Sequence, residues 1–166
     1  KLTKTGWHDG ARSIMTTDRF PKAAVRKVKI GNVEVSLVGI AKGSQMIAPD
    51  MGTMLCFLFT DARLPAKILQ SCLKRAVDRS FNCISVDGDT STSDTVLMSA
   101  TGQVKRQPWI DRAGDSALRD FRSALEDITR ELALMIARDG AKSGRLLTCD
   151  VVGAESARGA RNIGIS

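Results

Sequence analysis

A chain of 166 residues that is 43% apolar and 26% charged is of one-domain length and has the balance of a globular protein able to bury a sizeable core. Its formal net charge of +7 raises nucleic acid as a partner. The lysines and arginines are scattered, however, mostly on the polar sides of periodic segments, and with Tyr absent and aromatics at 4% stacking platforms for bases are scarce, so a solvated basic face with no nucleic acid partner is expected.

No apolar run reaches the ~20 residues that span a bilayer, and Lys1-Leu2-Thr3-Lys4 has no apolar core behind it to make a signal peptide. No membrane partner is expected. The first residue is not Met, and Ile165-Ser166 falls inside a helical pattern, so the expectation is a segment of something longer. Cys56, Cys72, Cys83 and Cys149 form no Cys-x-x-Cys pair, and His8 is the one histidine. No zinc site is therefore expected, and reduced buried thiols, which fit an intracellular compartment, are.

In chain order, Trp7, Ala11, Ile14 and Met15 predict a short amphipathic helix broken by Thr16-Thr17-Asp18. Val28 and Ile30 alternate with lysines as a strand, Gly31-Asn32 is a two-residue hairpin signal, and Val33, Val35 and Leu37 return as the partner. Pro65 suits the first position of a helix that the Ile68, Leu69, Cys72, Leu73, Ala76, Val77 stripe carries to about Arg79. Cys83 to Val86 is expected as a short strand, Asp87 to Asp94 as an acidic hydroxyl-rich loop, and Thr95 to Met98 as another extended run. Asp87 and Asp89 have calcium-loop spacing, but the central Gly is missing and Met98 stands where a bidentate Glu belongs, so calcium is not expected. Gly102 to Gly114 is an irregular excursion. The longest helix follows, with Leu118, Phe121, Leu125, Ile128, Leu132 and Met135 spaced by three and four and a stop at Asp139-Gly140. Leu146 to Val152 reads as a last strand, and Ala157, Ala160 and Ile163 as a further helix. Hairpins together with strand–helix alternation predict layered α/β packing with antiparallel pairs.

The chain centres on Ile40 to Asp61. A loop, Lys42-Gly43-Ser44-Gln45, passes through Pro49-Asp50-Met51-Gly52 into an uncharged run from Thr53 to Thr60, which predicts a strand buried on both faces. Taken alone, Thr53 is an ordinary strand-starting threonine, Lys42 a surface lysine in a glycine-bearing loop, and Thr16 a turn-capping residue.

The wording of the motifs is more specific. Lys42-Gly43-Ser44, Met46-Ile47-Ala48-Pro49, Met51-Gly52-Thr53-Met54-Leu55 and Thr60-Asp61-Ala62 form one block. Ile14-Met15-Thr16-Thr17-Asp18 with Phe20-Pro21-Lys22 forms a second, and Ser80-Phe81-Asn82 with Val86-Asp87-Gly88-Asp89-Thr90-Ser91-Thr92-Ser93-Asp94-Thr95 a third. In their chain order, from Ile14 through Lys42 to Ser80, the blocks closely resemble the bifunctional ornithine acetyltransferase / glutamate N-acetyltransferase family of arginine biosynthesis, over most of the chain.

The resemblance implies an α/β fold, a layered sandwich of helices around mixed or antiparallel sheets, of which residues 1–166 would be one partial catalytic domain. It implies self-cleavage between Gly52 and Thr53, with Thr53 then serving as the acyl-carrying nucleophile, and Thr53, Lys42 and Thr16 as substrate-binding residues. The implied reaction moves an acetyl group from N-acetylornithine to glutamate. The implied partners are these two small molecules and the remaining parts of the same protein, in an oligomer of cleaved chains. Three positions depart from the family pattern. Gly52 stands where Ala is usual, Gln45 where Gly is usual, and Ala141, in Asp139-Gly140-Ala141-Lys142, where the family carries a Glu that binds the substrate amine. A scaffold or subunit without catalysis, and an N-terminal-nucleophile amidohydrolase or aminopeptidase, are the alternatives.

Overall fold

The structure is a computed structural model, and it describes residues 5–44, 53–86, 93–140 and 144–165. Gly31 takes a left-handed φ of 60°, open to glycine without a Cβ penalty, and it closes a hairpin between β1 (Lys22–Ile30) and β2 (Val33–Lys42). The pair runs antiparallel from Ile30 opposite Val33 to Lys22 opposite Ala41. β3 (Leu55–Thr60) lies antiparallel on the other side of β2, with Leu37 opposite Thr60 and Lys42 opposite Leu55. β4 (Thr95–Ala100) is parallel to β3, and the helix α2 (Ala66–Asp78) lies in the crossover that a parallel pair requires. The result is one mixed four-stranded sheet in the order β1-β2-β3-β4.

Alternation along the strands decides what each face meets. Val35, Leu37 and Ala41 of β2 and Cys56 and Leu58 of β3 are buried. They share a core with Ile68, Cys72 and Leu73 of α2 and with Phe121, Leu125, Ile128 and Leu132 of α3 (Arg119–Gly140). Gly39 lets α3 come close, because a Cβ there would lie 2.7 Å from Leu132 Cδ1 and 2.8 Å from Leu58 Cδ2. Among the described residues, the opposite face carries the short α1 (Trp7–Ser13), whose Trp7 ring stands 5.2 Å from that of Phe59. Val25 and Leu97 remain exposed at 60% and 54%. α4 (Ala157–Ile165) follows last. Among the described residues no helix is long and apolar enough to cross a membrane.

Several sequence expectations are corrected. The Thr53–Thr60 run is not buried on both faces: β3 begins at Leu55, and buried Cys56, Leu58 and Thr60 alternate with half-buried Leu55, Phe57 and Phe59. The cause is that one seven-residue helix covers little of the second face. Pro65 precedes α2 rather than starting it, in extended conformation, its carbonyl accepting from the Ile68 and Leu69 amides. Cys83 to Val86 forms no strand. A 3-10 turn at Phe81–Cys83 is tied back to the end of α2 by Ser80 Oγ on the Ala76 carbonyl and by the Asn82 amide on Asp78. Leu146 to Val152 is not a strand either: no edge of the described sheet is beside it, and Leu147 and Val152 are 92% and 89% exposed. Cys56 and Cys72 are buried as expected, but Cys83 and Cys149 are exposed, since the elements meant to cover them do not form. Residues 87–92 of the acidic loop lie outside the described residues.

Leu132 is fully buried at the centre of the helix–sheet contact. Leu132→Ala is expected to lower the unfolding free energy by about 2–5 kcal/mol in urea titration; a loss of a few tenths would mean that α3 does not pack on β2 as described.

Candidate functional site

Two adjacent strand ends build the site. β2 ends at Lys42, followed by Gly43 and Ser44, and its partner β3 begins two residues after Thr53. Lys42 is opposite Leu55, and the same antiparallel register carried two places further would set Ser44 opposite Thr53. Gly43 confirms the approach, since a Cβ there would lie 3.4 Å from Met54 Cα. β3 is anchored on its other side as well: Asp94 Oδ1 accepts from the Met54 amide at 2.9 Å, and the Met54 carbonyl accepts from the Thr95 amide at 3.0 Å. Thr53 is half-buried, and among the described residues its hydroxyl has no hydrogen-bond partner. Gly52, the residue on the other side of the expected cleavage, lies outside the described residues, as do Gln45 and Ala141.

The loop after α1 comes to the same place. Lys42 Nζ donates to Thr16 Oγ1 at 3.2 Å, and Thr17 Oγ1 and Ser44 Oγ stand 3.0 Å apart. Lys42 is buried, unlike a surface lysine, while Thr16 is exposed. Thr16 does not cap a turn with its hydroxyl; its amide is held by Asp18 Oδ2 at 3.2 Å and its hydroxyl faces Lys42. The structure thus brings Thr16 and Lys42 into contact and sets Thr53 at the neighbouring strand end.

Beneath this surface lies a group the sequence reading did not single out. Lys22 is fully buried, and its ammonium donates to Asp18 Oδ1 at 2.6 Å and to Asp139 Oδ2 at 2.5 Å, with the Phe20 ring centroid at 4.8 Å. Asp18 Oδ1 also accepts from the Gly43 amide at 2.7 Å. Arg19 closes the other side: its Nε reaches Asp139 Oδ1 at 2.8 Å, and its Nη2 donates to the carbonyls of Arg138 and Asp139 at the end of α3. Two carboxylates and two cations therefore compensate one another, as buried charge requires. The signal was present in the periodicity. Lys22 shares its strand face with Ala24, Val28 and Ile30, and Asp139 continues the Leu132–Ile136 stripe of α3, so both were charged residues at positions that face the core.

Burial raises the cost of charge on Asp18, but the bonds from Lys22 and from the Gly43 and Thr16 amides outweigh it and hold its pKa below the usual 3.8. Cys56, three residues past Thr53, has its thiol pushed up to about 12 by burial, so it stays protonated and does not compete as a nucleophile. What the site offers is a buried ammonium, a cluster of hydroxyls and a half-exposed threonine, a set suited to an anionic ligand with a carbonyl to attack. Among the described residues, no three of His, Cys, Asp and Glu stand together as metal ligands.

Two outcomes follow from these contacts. The folded pKa of Asp18 lies below 3.8, so its contribution to stability is complete above that pH and is lost as pH falls further through the folded value. Acid titration of unfolding is therefore expected to fall more steeply below pH 3.8 for the parent than for Asp18→Asn, and parallel curves would contradict the assignment. A Cβ on Gly140 would overlap the Ser44 carbonyl oxygen and the Val86 side chain. Gly140→Ala is thus expected to cost about 1–3 kcal/mol of stability in denaturant unfolding, and no change would show that α3 does not end against Ser44.

The sequence pattern of the ArgJ family matches residues 1–166. The arginine biosynthesis bifunctional protein ArgJ of Gluconobacter oxydans is 51% identical over 164 residues, covering 99% of this chain and 38% of that protein. The protein of the same name from Nitrobacter winogradskyi is 50% identical over 159 residues, 95% of this chain and 38% of its own length. That of Brucella suis is 46% identical over 166 residues, 99% and 40% respectively. The chain therefore spans about two fifths of the length of these relatives. With a match along its whole length and half its residues shared with named members, the chain belongs to the ArgJ family.

Proposed function

We propose that residues 1–166 are one part of a catalytic domain that cuts itself between Gly52 and Thr53 and then transfers acetyl groups through Thr53. The observation that supports the reading is that Thr53 lies two residues before Leu55, the strand partner of Lys42, and that the Lys42 ammonium meets Thr16 Oγ1 at 3.2 Å. In the cleavage, Thr53 Oγ attacks the Gly52 carbonyl, the peptide C–N bond breaks, and water resolves the resulting ester, freeing the α-amine of Thr53. Glycine before the bond leaves the turn unhindered. A free α-amine has an ordinary pKa near 8, so it serves as base for its own hydroxyl.

In the transfer, Thr53 Oγ attacks the acetyl carbonyl of N-acetylornithine, and its proton passes by way of the α-amine to the departing nitrogen. The C–N bond breaks, ornithine leaves, and the acetyl group remains as an ester on Thr53. The glutamate amine then attacks that ester, its C–O bond breaks, and N-acetylglutamate leaves with the Thr53 hydroxyl restored. Lys42 holds a substrate carboxylate as a compact cation, and Thr16 lines the pocket beside it. This chemistry asks for no cofactor. The developing oxyanion needs donors worth several kcal/mol, and these come from the remaining part of the protein.

The same reading makes the sheet one layer of a sandwich of helices and sheets. The thinly covered face with exposed Val25 and Leu97 supports it, as does the unpaired Leu146–Val152 segment, which would pair in a second sheet. The working protein is then an oligomer of cleaved chains in the cytoplasm. A second reading has its own support. Ala141 stands where the family carries an acidic residue, and an ornithine ammonium needs an acidic partner. With that partner missing, the chain would be a degenerate relative that serves as a scaffold or subunit without catalysis.

Intact mass of the full-length polypeptide decides the first step. Two fragments, the second beginning at Thr53, are expected for the parent and a single uncut chain for Thr53→Ala; an uncut parent contradicts the proposal. Incubation with N-acetylornithine then separates the readings: ornithine release that depends on glutamate indicates the transferase, equal release without glutamate an N-terminal-nucleophile amidohydrolase, and no release the non-catalytic relative.

A further inference from the structure

Lys22 belongs to no motif role described so far, yet it sits where three separate parts of the chain meet. Its ammonium bonds Asp18, in the loop that presents Thr16 and Thr17, and Asp139, in the last turn of α3. Through Asp18 Oδ1 it is one bond from the Gly43 amide, the residue between Lys42 and Ser44. Through Asp139 it fixes the helix end whose Gly140 backbone abuts the Ser44 carbonyl. All three side chains are fully buried or nearly so, with side-chain exposures of 0% for Lys22, 1% for Asp18 and 0% for Asp139. Neither loop can move relative to α3 without breaking a bond to a buried charge, which is more costly than breaking a surface pair.

We propose that Lys22 is a positioning residue for the Thr53 chemistry. By holding Asp18 against Asp139, it sets the place of the Gly43–Ser44 strand end, and hence of the neighbouring Thr53, relative to Lys42 and Thr16. It touches neither substrate nor the scissile bond and acts only through these contacts. Gly43 is part of the device. Its φ of 140° lies outside the usual range of other residues, and its amide is held by Asp18 Oδ1. The inference rests on the proposed role of Thr53, and small displacements of a reacting group are enough to cost orders of magnitude in rate.

The test uses the full-length polypeptide and three variants: Lys22→Met, Lys22→Arg, and Leu132→Ala as a destabilised control whose lesion lies in the helix–sheet core. Self-cleavage is followed as single-turnover appearance of the fragment beginning at Thr53, at a temperature where thermal melts show every variant folded. Amide hydrogen exchange at Gly43 and Thr16 is followed in parallel. Lys22→Met is expected to cleave at least tenfold more slowly than Leu132→Ala and to lose protection at Gly43 and Thr16 while protection in α2 persists. Lys22→Arg, which keeps the charge, is expected to recover part of the rate. If Lys22→Met cleaves like the control, or loses protection uniformly, Lys22 is structural only and the proposal is wrong. A parent chain that never cleaves overturns the Thr53 reading itself, and this outcome is distinct because it is visible before any Lys22 variant is made.

Discussion

A single ammonium group, Lys22 Nζ, sits in the protein interior with a carboxylate on either side. Removing an ion from water costs several kcal/mol even after relaxation, and that cost is met only when geometry is good and the remaining lone pairs are occupied. Here they are: Asp18 also takes two backbone amides, and Asp139 takes the amide and guanidinium of Arg19. Arg19 in turn covers the terminal carbonyls of α3, where a cation complements the helix dipole. The arrangement makes the distance between helix end and strand end a fixed quantity rather than a compromise among flexible contacts.

Around that point the fold places the chemistry with few parts. The hairpin and the β2–β3 ladder bring Lys42 and Leu55 opposite one another, so residues just past each strand end become neighbours although nine positions separate Ser44 from Thr53 in sequence. α3 presses the ladder from one side through the gap left by Gly39. On the other side the loop after α1 delivers Thr16 and Thr17 against Lys42 and Ser44. The hydroxyls of Thr16, Thr17 and Ser44 gather around the buried Lys42 ammonium, while the carboxylates of Asp18 and Asp139 lie beneath.

Periodicity in the sequence was enough for the elements that carry their own signals. The Gly31-Asn32 hairpin, the α2 stripe from Ile68 to Val77 and the long α3 ending at Gly140 all form where turn chemistry and three-four spacing put them. Short apolar runs were not enough. Cys83 to Val86 and Leu146 to Val152 look like strands, but a strand exists only beside another, and the described sheet offers neither a place. Thr16, Lys42 and Thr53 were found by the wording of motifs, not by physics, because an exposed threonine and a loop lysine have no distinguishing pattern. Lys22 and Asp139 were legible in principle, as charges on core-facing positions, and were missed because each partner lies on a different element. One is 117 residues away, a separation that only tertiary structure closes.

Lys22 and Asp139 are bonded as one unit, and a double-mutant cycle measures that directly. Unfolding free energies of the parent, Lys22→Met, Asp139→Asn and the double variant give the coupling between the two side chains. The double variant is expected to be more stable than the sum of the single losses would allow, by about 2 kcal/mol, at the upper part of the range for residues in direct contact. Losses that add to within about 0.5 kcal/mol would show that the two side chains do not interact in the folded protein, and the placement of the strand end beside Thr53 would lose its support.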